Sequence, residues 1–144
     1  MGDASTPTLS LVIPAHNEER YLPRLLDSVA PARKPYEAQG SRAEIVVADD
    51  ASTDATPSVA RDRGCVVASL NVRNIGAARN GGARLARGVV LVFSDADARL
   101  RPRTFVEIGR PLRSPRGVGA PTDTVRQGAF GGRGRARSEC VPGS

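Results

Sequence analysis

Glu44-Ile45-Val46-Val47-Ala48-Asp49-Asp50 reads as a strand that ends in paired acids, and the chain repeats the device at Val89-Val90-Leu91-Val92-Phe93-Ser94-Asp95-Ala96-Asp97. Near-continuous apolar runs of this length mark parallel strands buried on both faces. In open α/β sheets the ligand lies beyond the carboxyl ends of such strands. Carboxylates placed there form one anionic pocket. With no cation beside them in sequence they would repel one another, so the arrangement calls for a metal ion or a donor-rich ligand.

Working outward, Leu9 to Ile13 is a first strand, stopped by Pro14, and Asn17 before Glu18-Glu19 makes an N-cap for a helix carrying Tyr21, Leu22, Leu25, Leu26 and Val29 at helical spacing. Pro23 fits only in the first turn. Residues 30–42, with two prolines and a glycine, read as a loop. After the second strand, Pro57 opens a helix that Gly64 ends, and Cys65 to Ser69 is a third strand. Gly76 to Arg87 reads as helix despite Gly81-Gly82, with Gly88 as its stop, and Val89 to Phe93 is the fourth and most apolar strand. The order β-α-β-α-β-α-β predicts an α/β fold with a doubly wound, mainly parallel sheet and right-handed crossovers. A short helix over Thr104 to Ile108 follows.

The 144 residues make one domain, with 40% hydrophobic and 3% aromatic content and no Trp. The net charge of +6 would ordinarily raise nucleic acid as a partner. Its location argues otherwise: residues 110–144 hold seven Arg against Asp123 and Glu139, a net +5, which leaves +1 for residues 1–109. No aromatic interleaving accompanies the basic stretch, and no nucleic-acid partner is expected. The expected organisation is a lead at 1–8, a binding domain at 9–109, and an Arg/Gly/Pro-rich tail at 110–144 that cannot bury enough apolar area to order itself. Cys65 and Cys140 suggest neither a disulfide framework nor a metal site. With no export signal and no membrane segment in this sequence, the expectation is a cytoplasmic protein.

Asp95-Ala96-Asp97 places two carboxylates where they can share Mg²⁺ or Mn²⁺ with phosphate oxygens. Asp49-Asp50 by itself is an ordinary turn choice. Arg73, Asn74, Gly76, Arg79 and Asn80 gather at the start of a helix, whose free backbone donors and nearby guanidinium suit a diphosphate. Arg84 and Arg87 read as solvated surface charges, His16 as lining the pocket rather than acting as a base, and Cys65 as a small core residue. NAD binding is excluded because no G-x-G-x-x-G follows the first strand. A phosphoaspartyl hydrolase would need its D-x-D after the first strand, not the fourth.

Taken in order, Val12-Ile13-Pro14-Ala15-His16-Asn17-Glu18, Val47 to Asp54, Asn74-Ile75-Gly76-Ala77-Ala78-Arg79-Asn80 and Phe93 to Asp97 resemble the nucleotide-sugar-dependent glycosyltransferases of family 2, with the A-type glycosyltransferase fold. The resemblance runs from about Leu9 to Arg103 and covers the donor half, so the fold is expected to be incomplete at its C-terminal end. It implies that Pro14 and Ala15 line the nucleotide pocket with Glu18 beside them, and that Asp50 accepts a hydrogen bond from the base with Asp49 supporting that turn. It places Asn74 and Arg79 near the base or diphosphate, Asp95 toward the ribose or sugar, and Asp97 on a divalent metal, Mg²⁺ or Mn²⁺. It implies inverting transfer from a UDP- or GDP-sugar to an acceptor that stays open: a glycan, a lipid or a small molecule. The family's general base lies on a later element, and no residue of this sequence is assigned to it. The alternative reading is a catalytically incomplete fragment that only binds nucleoside diphosphate and metal.

Overall fold

A computed structural model describes residues 6–110 of the chain. Of the tail at 110–144, expected not to order itself, all but Arg110 lies outside the described residues. Four parallel strands, β1 (Leu9–Ala15), β2 (Ala43–Asp50), β3 (Val66–Leu70) and β4 (Val90–Phe93), form one sheet in the order β3-β2-β1-β4. Between them run α1 (Leu22–Glu37), α2 (Thr56–Asp62) and α3 (Ile75–Leu85), and α4 (Thr104–Gly109) follows β4. The α/β, doubly wound reading therefore holds. Strand order reverses between β1 and β4, and the carboxyl ends on either side of that switch point are where such sheets hold ligands.

Alternation sorts the strand residues onto two faces. Leu9, Leu11, Ile13, Ile45, Val47 and Val92 join α1, α4 and Ala60 of α2 in the main core, in which Phe105, Leu22 and Leu25 are fully buried. The other face, with Val12, Val46 and Ala48, receives α3. The glycine pair of α3 is what lets the helix come this close. A Cβ on Gly82 would lie 2.6 Å from Val12 Cγ1 and 3.1 Å from Ala48 Cβ, and one on Gly81 would lie 2.6 Å from Leu70 Cδ1.

Several elements depart from their sequence reading. Pro14 does not stop β1, which runs to Ala15 and stays in register with β2, Pro14 opposite Ala48. The N–H groups of Val90 and Ser94 reach the carbonyls of Thr8 and Val12, so even-numbered β1 residues face β4. The β4 ladder ends at the Val12–Phe93 pair, so the donor that Pro14 lacks falls where no partner is needed.

Asn17 does not cap α1; the helix starts at Leu22 with Pro23 in its first turn. It then continues through Pro31 and Pro35 to Glu37, across residues read as a loop. Burial overrides the prolines: Val29, Ala32 and Tyr36 fall on the core face, Tyr36 bonds Thr8 Oγ1 at 2.8 Å, and its ring packs 6.0 Å from that of Phe105. The helix α3 ends at Leu85, with Ala86 as its C-cap, rather than at Arg87 before Gly88. Gly88 is held instead by a close approach, since a Cβ there would lie 2.5 Å from the Ser10 backbone nitrogen. Finally, among the described residues β4 is not buried on both faces: α3 packs over β1, β2 and β3, and Leu91 on that face is exposed.

Candidate functional site

The sheet's carboxyl end opens into a cleft of about 350 Å³. Pro14 and Ala15 from the end of β1, His16 and Glu18 from the loop after it, and Asp50 from the end of β2 form one side. Arg73, Asn74, Ile75 and Ala78, from the β3–α3 link and the first turns of α3, form the other. Asp50 joins the two. Its Oδ1 accepts from the backbone N–H groups of Val72 (2.8 Å) and Arg73 (3.1 Å), and these bonds, led by Val72, hold the carboxyl below its usual pKa. Arg73 adopts a left-handed conformation, φ 50, at this bend. Asn74 then caps α3, its Oδ1 accepting from Ala77 N–H at 2.9 Å.

The β1–α1 and β2–α2 loops are interlocked. Asn17 N–H donates to Ser52 Oγ (2.9 Å) and Asn17 Oδ1 accepts from Thr53 N–H (2.8 Å). Glu18 N–H donates to Thr56 Oγ1 (2.8 Å), Glu19 N–H to Asp54 Oδ2 (3.2 Å), and Ala55 N–H to Glu19 Oε2 (3.0 Å). This lattice carries Asn17 and Ala51, each at φ 51, and fixes the loop that presents His16. His16 Nδ1–H donates to the Asp50 carbonyl at 2.6 Å, while Asn17 Nδ2 approaches Nε2 at 3.4 Å, so the ring is tied to the same strand end as the Asp50 carboxylate.

The second acid cluster follows β4. Asp95 is exposed and accepts from Arg79 Nη2 at 3.2 Å, which ties the end of β4 to α3. Asp97 is exposed. Glu18 feels both: burial raises its pKa first, and the charges of Asp97, Asp54 and Asp95 raise it further against the opposing His16. The field between the first and fourth strand ends is therefore negative. Among the described residues no group of three or more His, Cys, Asp or Glu is placed to hold a metal ion. Exposed hard carboxylates in a negative field fit a divalent cation of the Mg²⁺ or Mn²⁺ kind, which takes one or two protein carboxylates and fills its remaining positions with phosphate oxygens and water.

Of the residues singled out from the sequence, Pro14, Ala15, Glu18, Asp50 and Asn74 line the cleft. Arg79 and Asp95 meet each other across the α3–β4 end, and Asp97 acts on Glu18 through its charge. Asp49 is different. Alternation turns its side chain to the face opposite Asp50, where it is buried, does not line the cleft, and leaves Oδ1 without a hydrogen-bond partner. Arg87, read as a free surface charge, donates through Nε to buried Glu44 at 3.1 Å. Arg73, read from the sequence as part of the cluster at the start of α3, also lines the cleft, whereas the sequence reading missed the Asp54–Thr56 side of the loop lattice. The spacing of Asn17-Glu18-Glu19 and Ser52-Thr53-Asp54, two polar triplets after neighbouring strands, was the signal for the latter.

Among the described residues no helix is long and apolar enough to cross a membrane. Comparison with known proteins gives consistent matches. The chain is 36% identical over 110 residues to the 4,4'-diaponeurosporenoate glycosyltransferase of Staphylococcus haemolyticus, covering 72% of this chain and 28% of that protein. The mannosyltransferase PcManGT from Pyrobaculum calidifontis, solved with GDP-Man and Mn²⁺, superposes with a TM-score of 0.64 at 28% identity, over 78% of this chain and 34% of that one. S. aureus TarS in complex with UDP gives 0.62 at 28% identity, over 73% and 32%. The chain thus spans roughly a third or less of the length of these relatives. The parallel sheet is that of A-type glycosyltransferases. The family model for glycosyl transferase family 2 matches residues 10–135, and with the ordered motifs now found on one sheet edge, the chain belongs to that family.

Proposed function

We propose that this chain binds the donor in glycosyl transfer from a UDP- or GDP-sugar, with inversion at the anomeric carbon. The observation that carries this reading is the convergence of Asp50, the start of α3 and the Asp95–Asp97 acids around one sheet edge. Asp50 accepts a hydrogen bond from the base with carboxylate capacity left after Val72 and Arg73. Pro14 and Ala15 wall the pocket, with Glu18 at its rim. Asn74 and the first amides of α3 face the diphosphate, and Arg79 adds a guanidinium nearby. Asp95 takes the ribose or sugar side, and Asp97 holds Mg²⁺ or Mn²⁺. Such an ion, when bound, stabilises the charge gathering on the leaving diphosphate. In the transfer itself the acceptor hydroxyl oxygen bonds to the anomeric carbon as the carbon–phosphate oxygen bond breaks, its electron pair leaving with the nucleoside diphosphate and the hydroxyl proton passing to a general base, a role to which no residue of this sequence is assigned. The solved complexes with UDP and with GDP-Man and Mn²⁺ support this reading by analogy.

A binding-only role is the second reading, since every residue placed around the cleft belongs to the donor side of the reaction. Calorimetry with UDP and GDP, with and without Mn²⁺, tests the pocket. Asp50→Ala and Asp97→Ala are each expected to weaken binding about tenfold or more, and only the Asp50 effect should persist without metal. Equal affinity in wild type and both variants would overturn the assignment. Donor turnover by the full chain then separates transfer from binding.

A further inference from the structure

Asp50 lines the cleft with half of its acceptor sites already filled. An ionised carboxylate offers two oxygens with two lone pairs each. Oδ1 takes the N–H groups of Val72 at 2.8 Å and Arg73 at 3.1 Å, so both of its lone pairs are spent on the β3–α3 link. The Val72 amide first, then those of Arg73 and Asn74, lower the pKa of the group against desolvation and keep it ionised, able to accept and with nothing to donate. These amides are not free to turn away. Ala51 N–H bonds the Leu70 carbonyl at 2.8 Å, which carries the β2–β3 pairing up to the bend, and the Asn74 cap starts α3 directly after it.

Nucleobases differ in what they bring to a single acceptor. Uracil presents one donor, its N3–H, between two carbonyl oxygens. Guanine presents two adjacent donors, the ring N1–H and the 2-amino group, which call for both oxygens of one carboxylate. Cytosine puts a ring-nitrogen lone pair where uracil has its donor. We propose that Oδ2 of Asp50, as the one oxygen of that carboxylate left to the cleft, selects a nucleoside diphosphate with a uracil-type base over one with guanine. This rests on the donor-binding reading above and removes guanine from it. Arg73 lines the same wall. Its guanidinium, which only donates, suits a carbonyl beside the N3–H and opposes the amino group that guanine sets beside its N1–H. Selection of this kind is a difference of affinities, made as much by the donor left unpaired in the wrong base as by the bond made to the right one.

Calorimetry of the full chain with Mn²⁺ should give UDP a Kd about tenfold or more below that of GDP. N3-methyluridine diphosphate keeps the ribose, the diphosphate and both base carbonyls but lacks the donor, and it should bind about tenfold or more weaker than UDP. Asp50→Asn gives a readout that simple loss of the site cannot imitate. Val72 and Arg73 still need an oxygen, so they pin the amide carbonyl in the place of Oδ1 and turn the amide NH₂ into the cleft. CDP, whose N3 accepts, should then gain on UDP, and the preference for UDP over CDP should fall about tenfold or more. Equal affinity for UDP and GDP, or for UDP and its N3-methyl form, overturns the base selection while leaving a nucleoside diphosphate site in place. So does an Asp50→Asn chain in which UDP and CDP weaken by the same factor. No binding of any of these nucleotides overturns the donor reading itself, and the selection with it.

Discussion

Glu44 shows how far one side chain's behaviour depends on partners distant in sequence. It accepts from Ser10 Oγ at 2.6 Å, from Arg87 N–H at 2.9 Å and from Arg87 Nε at 3.1 Å, while Gly88 N–H donates to the same Ser10 hydroxyl at 2.8 Å. Burial pushes its carboxyl pKa up, but the bonds from Arg87 and Ser10 outweigh burial and hold it below the usual value. A pKa lower in the folded than in the unfolded state gives stability that is full above the unfolded value, near 4.5, and is lost as pH falls through the folded value. Melting temperatures of wild type and Glu44→Gln should therefore differ most above pH 4.5 and converge in acid. A constant gap across that range would refute the linkage. At neutral pH, Glu44→Ala should cost about 1–3 kcal/mol in urea unfolding, because it strands buried donors. None of this network was legible in sequence, since Ser10, Glu44 and Arg87 meet only when three segments pack. By contrast, Asp50 could be read from its place after a strand, although its bonds to Val72 and Arg73 could not.

Within elements, periodicity located all four strands and the turns of α2 and α3, and it failed where a local rule was overridden by packing. Pro14 sits inside β1 because its missing donor faces the end of the β4 ladder. Pro31 and Pro35 sit inside α1 because Ala32 and Tyr36 are buried against the core, and that burial outweighs the lost helix bonds. The Gly81-Gly82 pair stands against the helix in the sequence and in the structure is a fit between helix and sheet. Replacing Gly82 by Ala would gain about 1 kcal/mol of helix propensity but press a methyl group into Val12 and Ala48, an overpacking that costs about 1–3 kcal/mol. The contact is expected to win, so Gly82→Ala should lower the thermal midpoint. An increase would mean that α3 can lift from the sheet.

At the scale of the whole molecule, β1 is the centre and β4 the margin. Every residue of β1 is buried and the strand is flanked on both sides, whereas among the described residues β4 is flanked on one. Among the described residues, hydrogen exchange should find the amides from Leu11 to Ile13 slower than that of Leu91, which is 42% exposed. Exchange of Leu91 as slow as that of Val12 would contradict this order. By itself the sequence determined the fold class, the family and the order of the acid clusters, because strand periodicity, turn residues and short ordered motifs are local properties that the chain carries along its length. Only the tertiary structure decided that Asp49 and Asp50 part to opposite faces, that two loops lock around His16 and Glu18, that Glu44 is held by Arg87, and that the glycines of α3 seat the helix on β1 and β2. Each of these depends on register and on which surfaces face each other, and neither is fixed until segments far apart in sequence have packed together.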